Sequence, residues 1–199
     1  MNEVMLFPLN SIVLPEGKMR LRVFEARYKR LVVDALKGDG QFGICLFEKQ
    51  HLPENSELSA VGTLVKIIDF EQLEGGLLGI TVTGIKRFMI RRVRVEHDGL
   101  RLAKVEWLPN WETLDLTEHG ELLSQQLQRI YSQFPQLNDL YEQKFFDDET
   151  WVSQRWLEIL PMTNKQFDRL SLHLDCTATV EFLSQTLNNP NISDPTAKV

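Results

Sequence analysis

The hydrophobic pattern changes its period near residue 110, and this change constrains the fold more than any other feature of the chain. Before that point apolar residues alternate with polar ones or form short β-branched runs between turns, which is typical of strands. After Trp111 they recur every three to four positions, which is typical of helices. We therefore predict an α+β protein with a β domain at 1–109, a helical bundle at 110–188 and a flexible tail at 189–199.

The first half is predicted to be mainly strands, joined in part by hairpins such as the turn at Asp98-Gly99. These strands lie at 41–47, 61–70, 77–85, 88–96 and 100–107. One helix interrupts them and ends at Gly38-Asp39-Gly40. Its apolar face has helical spacing and consists of Tyr28, Leu31, Val32, Ala35 and Leu36.

The second half is predicted to contain five helices. The first is stopped by Pro135, and the fourth is opened by a capping box, Thr163-x-x-Gln166. The apolar face of the first consists of Leu123, Leu127, Ile130, Tyr131 and Phe134. The faces of the others fall within 137–141, 152–160, 167–174 and 180–187. None of these helices is long enough to be stable alone in water, so we expect them to pack together.

Charge and cysteine usage limit the class of protein. Residues 1–108 carry 16 Lys and Arg against 14 Asp and Glu, whereas residues 109–199 carry 6 against 14. No basic leader precedes an apolar stretch, and no charge-free run approaches the roughly 20 residues of a membrane span, so we expect neither export nor membrane insertion. Cys45 and Cys176 are far apart and form no C-x-x-C pair, which indicates neither a disulfide framework nor a zinc site. The cytoplasm is the predicted location.

Motifs for catalysis are weak. The segment from Gly79 to Gly84 resembles a phosphate-binding loop, but Ile85 separates its last glycine from Lys86 and the surroundings read as a strand. We interpret it instead as a hairpin whose glycine lets another backbone pass closely. The histidines, which never occur at i and i+4, are His51, His97, His119 and His173. We therefore expect a protein without catalytic activity that binds neither a metal ion nor a cofactor. An uncharacterised hydrolase remains an alternative because convergent sites leave no sequence pattern.

A first candidate binding site lies where a strand runs into the predicted helix. It consists of Phe24, Glu25, Arg27 and Tyr28. One interpretation is structural: Glu25 lies at a helix N-terminus, and Arg27 pairs with it or with a neighbouring loop. The other places Arg27 and Tyr28 at the edge of a peptide groove, with the ring for apolar side chains and the guanidinium for carbonyls or carboxylates.

A second candidate is the basic strand 86–95, in which Arg92 and Arg94 share one face. This face is interpreted as solvated or interdomain, as a protein-binding surface, or as an electrostatic footprint for RNA. Glu96 continues the same face, and the second half of the chain is acidic, which weighs against nucleic acid.

The chain resembles the N-terminal domain of Lon proteases. The resemblance begins with Leu6-Phe7-Pro8-Leu9 through Glu16-Gly17 and continues with Phe24-Glu25-Ala26-Arg27-Tyr28. The later matches follow in order and are Phe42-Gly43-Ile44, Val61-Gly62-Thr63, Val82-Thr83-Gly84-Ile85-Lys86-Arg87-Phe88 and Leu160-Pro161-Met162. Together they cover about residues 4–187.

The resemblance implies a PUA-like β pseudobarrel with one docked helix, followed by a helical bundle. In Lon this part recognises unfolded or tagged substrates. A chain of 199 residues leaves no room for the ATPase and Ser-Lys protease domains, so the likeness is to stand-alone bacterial forms. We therefore expect a non-catalytic module that binds unfolded or peptide segments, as an adaptor or chaperone-like factor in protein quality control. Because related PUA-like barrels bind RNA, an RNA-associated module using strand 86–95 is the alternative.

Overall fold

The structure, a computed structural model, describes residues 2–48 and 57–187. Within these ranges it contains a six-stranded sheet and six helices, which confirms the α+β class. The strands are β1 (Asn2–Leu9), β2 (Lys18–Val23), β3 (Gln41–Glu48), β4 (Glu57–Gln72), β5 (Leu78–Val95) and β6 (Arg101–Trp107). The helices are α1 (Ala26–Leu36), α2 (Glu118–Gln133), α3 (Pro135–Asn138), α4 (Glu149–Ile159), α5 (Asn164–Ser171) and α6 (Thr177–Leu187). The predicted tail at 189–199 lies outside the described residues.

The strand pairings close into a ring. β1 pairs with β3 in parallel and with β6 antiparallel, β3 pairs with β4, β4 with β5, and β5 returns to β6. β2 pairs with β5 outside this ring, so it has one neighbouring strand in the described chain. A closed ring is what a pseudobarrel requires, and the PUA-like assignment itself stays a prediction.

β5 is one continuous strand of 18 residues, so the hairpin predicted for the segment from Gly79 to Gly84 is wrong. The pairing with β4 shifts between Leu64, opposite Lys86, and Val65, opposite Gly84, which leaves Ile85 as an extra residue. The strand thus bends at a bulge instead of reversing. The predicted close approach is confirmed, because a Cβ on Gly84 would lie 2.0 Å from the carbonyl oxygen of Leu14.

Helix α1 forms where its apolar stripe predicted it. Tyr28, Leu31, Val32 and Ala35 are buried, whereas the predicted fifth member of the stripe, Leu36, is exposed. The chain leaves the helix through Gly40, whose φ is +72° and whose N–H donates to the carbonyl of Ala35. The β-strand core beneath contains a cluster formed by Val4, Leu6, Cys45, Phe88, Ala103 and Val105.

The described residues fall into two compact units. One lies within Met1–Asn110 and Pro161–Leu172, the other within Trp111–Leu160 and His173–Val199. Helix α5 was predicted to belong with the other C-terminal helices, but it packs against β4 in the first unit. Its Asp168 carboxylate accepts the backbone N–H groups of Ala60 (2.8 Å) and Val61 (3.0 Å). The predicted capping box between Thr163 and Gln166 is confirmed.

Helices α2, α4 and α6 pack together in the second unit. An aromatic cluster surrounds the buried Trp151, with ring centroids within 6.3 Å. Its other members are Tyr131, Tyr141, Phe145 and Phe146. Pro135 ends α2 and begins the short α3, as its missing N–H requires. Leu174, predicted to extend the α5 stripe, lies beyond the helix and is 83% exposed.

Candidate functional site

A cavity of about 570 Å³ opens in the first unit, where the end of β1, strand β2 and the start of α1 meet. All four residues of the first candidate site line it: Phe24, Glu25, Arg27 and Tyr28. We call this space the Phe24 cavity. The structure therefore brings the strand-to-helix junction to a concave surface, which is the usual form of a ligand site.

Aromatic side chains form much of the Phe24 cavity. Phe7 and Tyr28 stack with ring centroids 4.0 Å apart and ring planes 11° apart, and Phe47 lines the same space. Burial raises the pKa of the Tyr28 phenol, so this ring presents a neutral surface. Phe24, by contrast, is 67% exposed. A large ring held in solvent beside buried rings suits the capture of apolar groups.

Arg27 makes the structural contacts considered for it and also lines the Phe24 cavity. Its guanidinium forms an ion pair with Glu25 (2.7 Å), lies 4.8 Å over the Tyr28 ring, and donates to the carbonyl of Gly99 (3.3 Å). The predicted pairing with Glu25 or a neighbouring loop is thus present on both counts. Glu25 occupies the N-cap position of α1, but its side chain makes no capping hydrogen bond. The same contacts leave Arg27 lining the cavity.

Three further arginines line the Phe24 cavity and were missed by the sequence analysis: Arg20, Arg22 and Arg101. Arg20 and Arg22 extend from β2, in which they alternate with the buried Leu21 and Val23. That alternation is a strand signal, although a short one. Arg101 comes from the start of β6 and lies 5.5 Å from the centroid of the Phe47 ring. No sequence pattern links it to residues near position 24.

The residues of the second candidate site do not line the Phe24 cavity. Arg92 and Arg94 line another cavity, of about 370 Å³, together with Glu3, Leu102 and Lys104. Arg94 is neutralised there by Glu3 (3.0 Å) and by Glu96 (3.1 Å), and the hydrogen bond from Arg94 lowers the pKa of Glu3. Lys104 lies opposite Glu3 in the pairing of β1 with β6 and also lowers the pKa of Glu3, whereas Arg92 has no carboxylate partner among the described residues.

Arg87 and Arg91, two other cations of strand 86–95, are already bonded to groups of the protein. Arg87 is buried, and it donates to the carbonyls of Ser171 and Pro109, each at 2.5 Å. Burial lowers the pKa of Arg87 to about 10. Arg91 pairs with Glu106 at 2.5 Å. The basic surface on this strand is therefore smaller than its composition predicts, and RNA binding stays a prediction.

Helix α1 also holds the turn between β5 and β6. Arg30 forms ion pairs with Glu96 and, at 2.8 Å, with Asp98. Arg27 adds its bond to Gly99 in the same turn. Because Glu96 is shared with Arg94, a chain of ion pairs links α1 to the face that carries Arg92 and Arg94.

The described part of the chain contains neither a cluster of metal ligands nor a membrane-spanning helix. Within residues 2–48 and 57–187, no three His, Cys, Asp or Glu side chains are close enough together to hold a metal ion. His51 lies outside those ranges. None of the described helices combines the length and hydropathy needed to cross a bilayer.

Comparisons with known proteins point to one family. Residues 3–186 match the model of the ATP-dependent protease La (LON) substrate-binding domain. A search among curated proteins finds no significant match.

Two solved structures are similar over most of the chain. A Lon N-terminal domain protein from Xanthomonas campestris is 32% identical with a TM-score of 0.70, and the match covers 92% of this chain and 97% of that one. The N-terminal domain of a Lon protease from the Mycobacterium avium complex is 17% identical with a TM-score of 0.62, covering 94% of this chain and all of that one. The second likeness shows the fold alone.

Proposed function

The chain belongs to the family of Lon substrate-binding domains, and from that premise we propose that it binds segments of other proteins in the Phe24 cavity without catalysing a reaction on them. The match covers nearly the whole chain, and the family is named for substrate binding. The finer role is an adaptor or chaperone-like factor in protein quality control, built on a PUA-like pseudobarrel. Two free, buried cysteines suit the reducing cytoplasm for this role.

One observation carries the proposal: Phe24 is 67% exposed at a cavity whose other aromatic rings are packed. An exposed phenylalanine has no role in the core, and contact with an apolar side chain of a ligand would remove it from water. The neighbouring guanidinium of Arg27 can donate to peptide carbonyls or carboxylates. Unfolded segments offer both kinds of group at every few residues, whereas folded surfaces present them less often.

The test is binding of an unfolded probe, reduced and carbamidomethylated α-lactalbumin, measured by fluorescence anisotropy. We expect Phe24→Ala to weaken binding about tenfold or more, since a buried aromatic anchor typically contributes at least ~2 kcal/mol. Its melting temperature should stay unchanged because the ring is exposed. Phe70→Ala is the matched control: Phe70 is also 67% exposed but lies on β4 and is not among the residues that line the cavity.

Equal binding by the wild type and Phe24→Ala would refute the cavity as the binding site. Mass spectrometry of the recovered probe checks the absence of chemistry. A probe cleaved or modified by the wild type would support the hydrolase alternative instead.

A further inference from the structure

We propose that the Phe24 cavity takes an acidic peptide segment in extended conformation, which pairs as an added strand with the open edge of β2. This inference rests on the proposed function and specifies the chemistry and conformation of the bound segment.

The cavity runs along the edge of β2 and not over one of its faces. Four consecutive residues of this strand, 19–22, line the cavity. Successive side chains of a strand point to opposite faces, so a space that touches four in a row lies beside the backbone. The opposite edge of β2 is occupied by β5. The cavity therefore lies along the edge where no other described strand pairs.

Unused backbone groups face this edge. The N–H of Gly84 donates to the carbonyl of Gly17 (2.8 Å), and the pairing of β2 with β5 continues from there without a register shift. Hydrogen-bonded and non-hydrogen-bonded pairs alternate in an antiparallel ladder. Arg20 and Arg22 thus fall in non-hydrogen-bonded pairs, and their N–H and C=O groups point away from β5. Within the described chain no residue bonds to these groups, which leaves them for an added strand.

The charge of the cavity selects the ligand. Four arginines line it, whereas Glu25 is the one carboxylate among the lining residues, and Glu25 is already paired with Arg27. Arg20, Arg22 and Arg101 have no carboxylate partner within residues 2–48 and 57–187. A bound segment with carboxylates at alternate positions would lie on the same face as Arg20 and Arg22, because directly opposed side chains share a face. Apolar side chains suit the intervening positions, near the aromatic rings.

The experiment uses the full chain and a fluorescent octapeptide of alternating Asp and Phe, with an alternating Lys and Phe octapeptide as control. We expect the acidic peptide to bind at least tenfold more tightly at physiological salt. The double substitution Arg20→Gln with Arg22→Gln should weaken its binding about tenfold. Arg169→Gln is the matched control, because Arg169 is also exposed and lacks a carboxylate partner in the described chain but lies on α5, outside the cavity. It should leave binding unchanged.

Backbone methylation of the probe tests strand pairing without altering the protein. An added strand directs every second N–H toward β2. Two methylated probes are compared, one with N-methyl groups on all Asp residues and one with N-methyl groups on all Phe residues. One of the two should lose binding, and the other should keep it. Equal effects of the two methylations, or equal affinity for the acidic and basic peptides, would overturn the inference.

The unfolded α-lactalbumin probe separates this inference from the proposed function. If that probe binds in a Phe24-dependent manner while the acidic octapeptide does not, the proposed function stands and acidic strand addition is refuted. If neither binds, both are refuted. Binding of the octapeptide with the predicted dependence on Arg20, Arg22 and methylation supports both.

Discussion

Phe7 of β1 and Tyr28 of α1 stack almost face to face, with ring planes 11° apart, and this contact fixes the start of the helix against the sheet. We expect Phe7→Leu to lower the free energy of unfolding by about 1–2 kcal/mol, because it removes the aromatic pair and part of a buried ring. Tyr28→Phe keeps the stack and should change stability by less than about 0.5 kcal/mol. Urea denaturation measures both, and equal stability of Phe7→Leu and wild type would contradict the prediction.

Gly84 lies where the segment before β2 crosses β5. We expect Gly84→Ala to lower the free energy of unfolding by about 3 kcal/mol, because its Cβ would fall 2.0 Å from the carbonyl oxygen of Leu14 and force the backbone apart. Gly38→Ala is the control, since its Cβ would meet nothing closer than 3.6 Å. Thermal unfolding of the two variants should differ clearly, and similar melting temperatures would show that the crossing can relax.

Asp168 attaches α5 to β4 through the N–H groups of Ala60 and Val61. We expect Asp168→Ala to cost about 1–3 kcal/mol, because it leaves a part-buried N–H without an acceptor. Lys165→Ala changes an exposed residue of the same helix and should be nearly neutral. Hydrogen exchange provides a local readout: the amides of Ala60 and Val61 should exchange faster in Asp168→Ala. Unchanged protection there would contradict the attachment.

The ionisation of Glu96 should make the free energy of unfolding depend on pH. The hydrogen bond from Arg30 holds the pKa of Glu96 below its ordinary value of 4.5. A lowered pKa means that the ionised carboxylate stabilises the fold above that ordinary value, and the contribution is lost as pH falls through the folded-state pKa. The stability difference between wild type and Glu96→Gln should therefore be full at neutral pH and shrink below 4.5.

Arg30→Gln removes one of the two partners of Glu96 and is the control for that experiment. Combining it with Glu96→Gln should cost less than the sum of the two single changes, because both remove the Arg30–Glu96 pair, whereas the pairs Arg30–Asp98 and Arg94–Glu96 are each lost in one of them. A difference between wild type and Glu96→Gln that stays constant from pH 7 to pH 3 would rule out the ion pair as its source.

Local signals in the sequence located the helices well. The stripe from Tyr28 to Ala35 and the capping box from Thr163 to Gln166 are set by neighbours within a few residues, so they can be read directly. The packing partner of α5 could not be read, because Asp168 bonds to residues more than 100 positions away. The bend of β5 at Ile85 was mistaken for a turn, since glycine is compatible with both.

The sequence revealed only part of the candidate site. Phe24, Glu25, Arg27 and Tyr28 are contiguous enough to be noticed together, and the structure places them around one cavity. The sequence predicted a strand before Phe24 without bounds and no strand at 2–9, because β1 and β2 depend on partners distant in sequence. Without those strands, the convergence of Arg101 on the same cavity could not be foreseen.

The single open edge of β2 also bears on how the protein behaves when it is concentrated. Unpaired edges are the places where sheets of separate molecules join and insoluble assemblies begin. Two copies pairing through β2 would crowd four guanidinium groups, from Arg20 and Arg22 of each molecule, onto one short ribbon. Their mutual repulsion works against fibre-like growth at this edge, while a chain of opposite charge meets no such barrier.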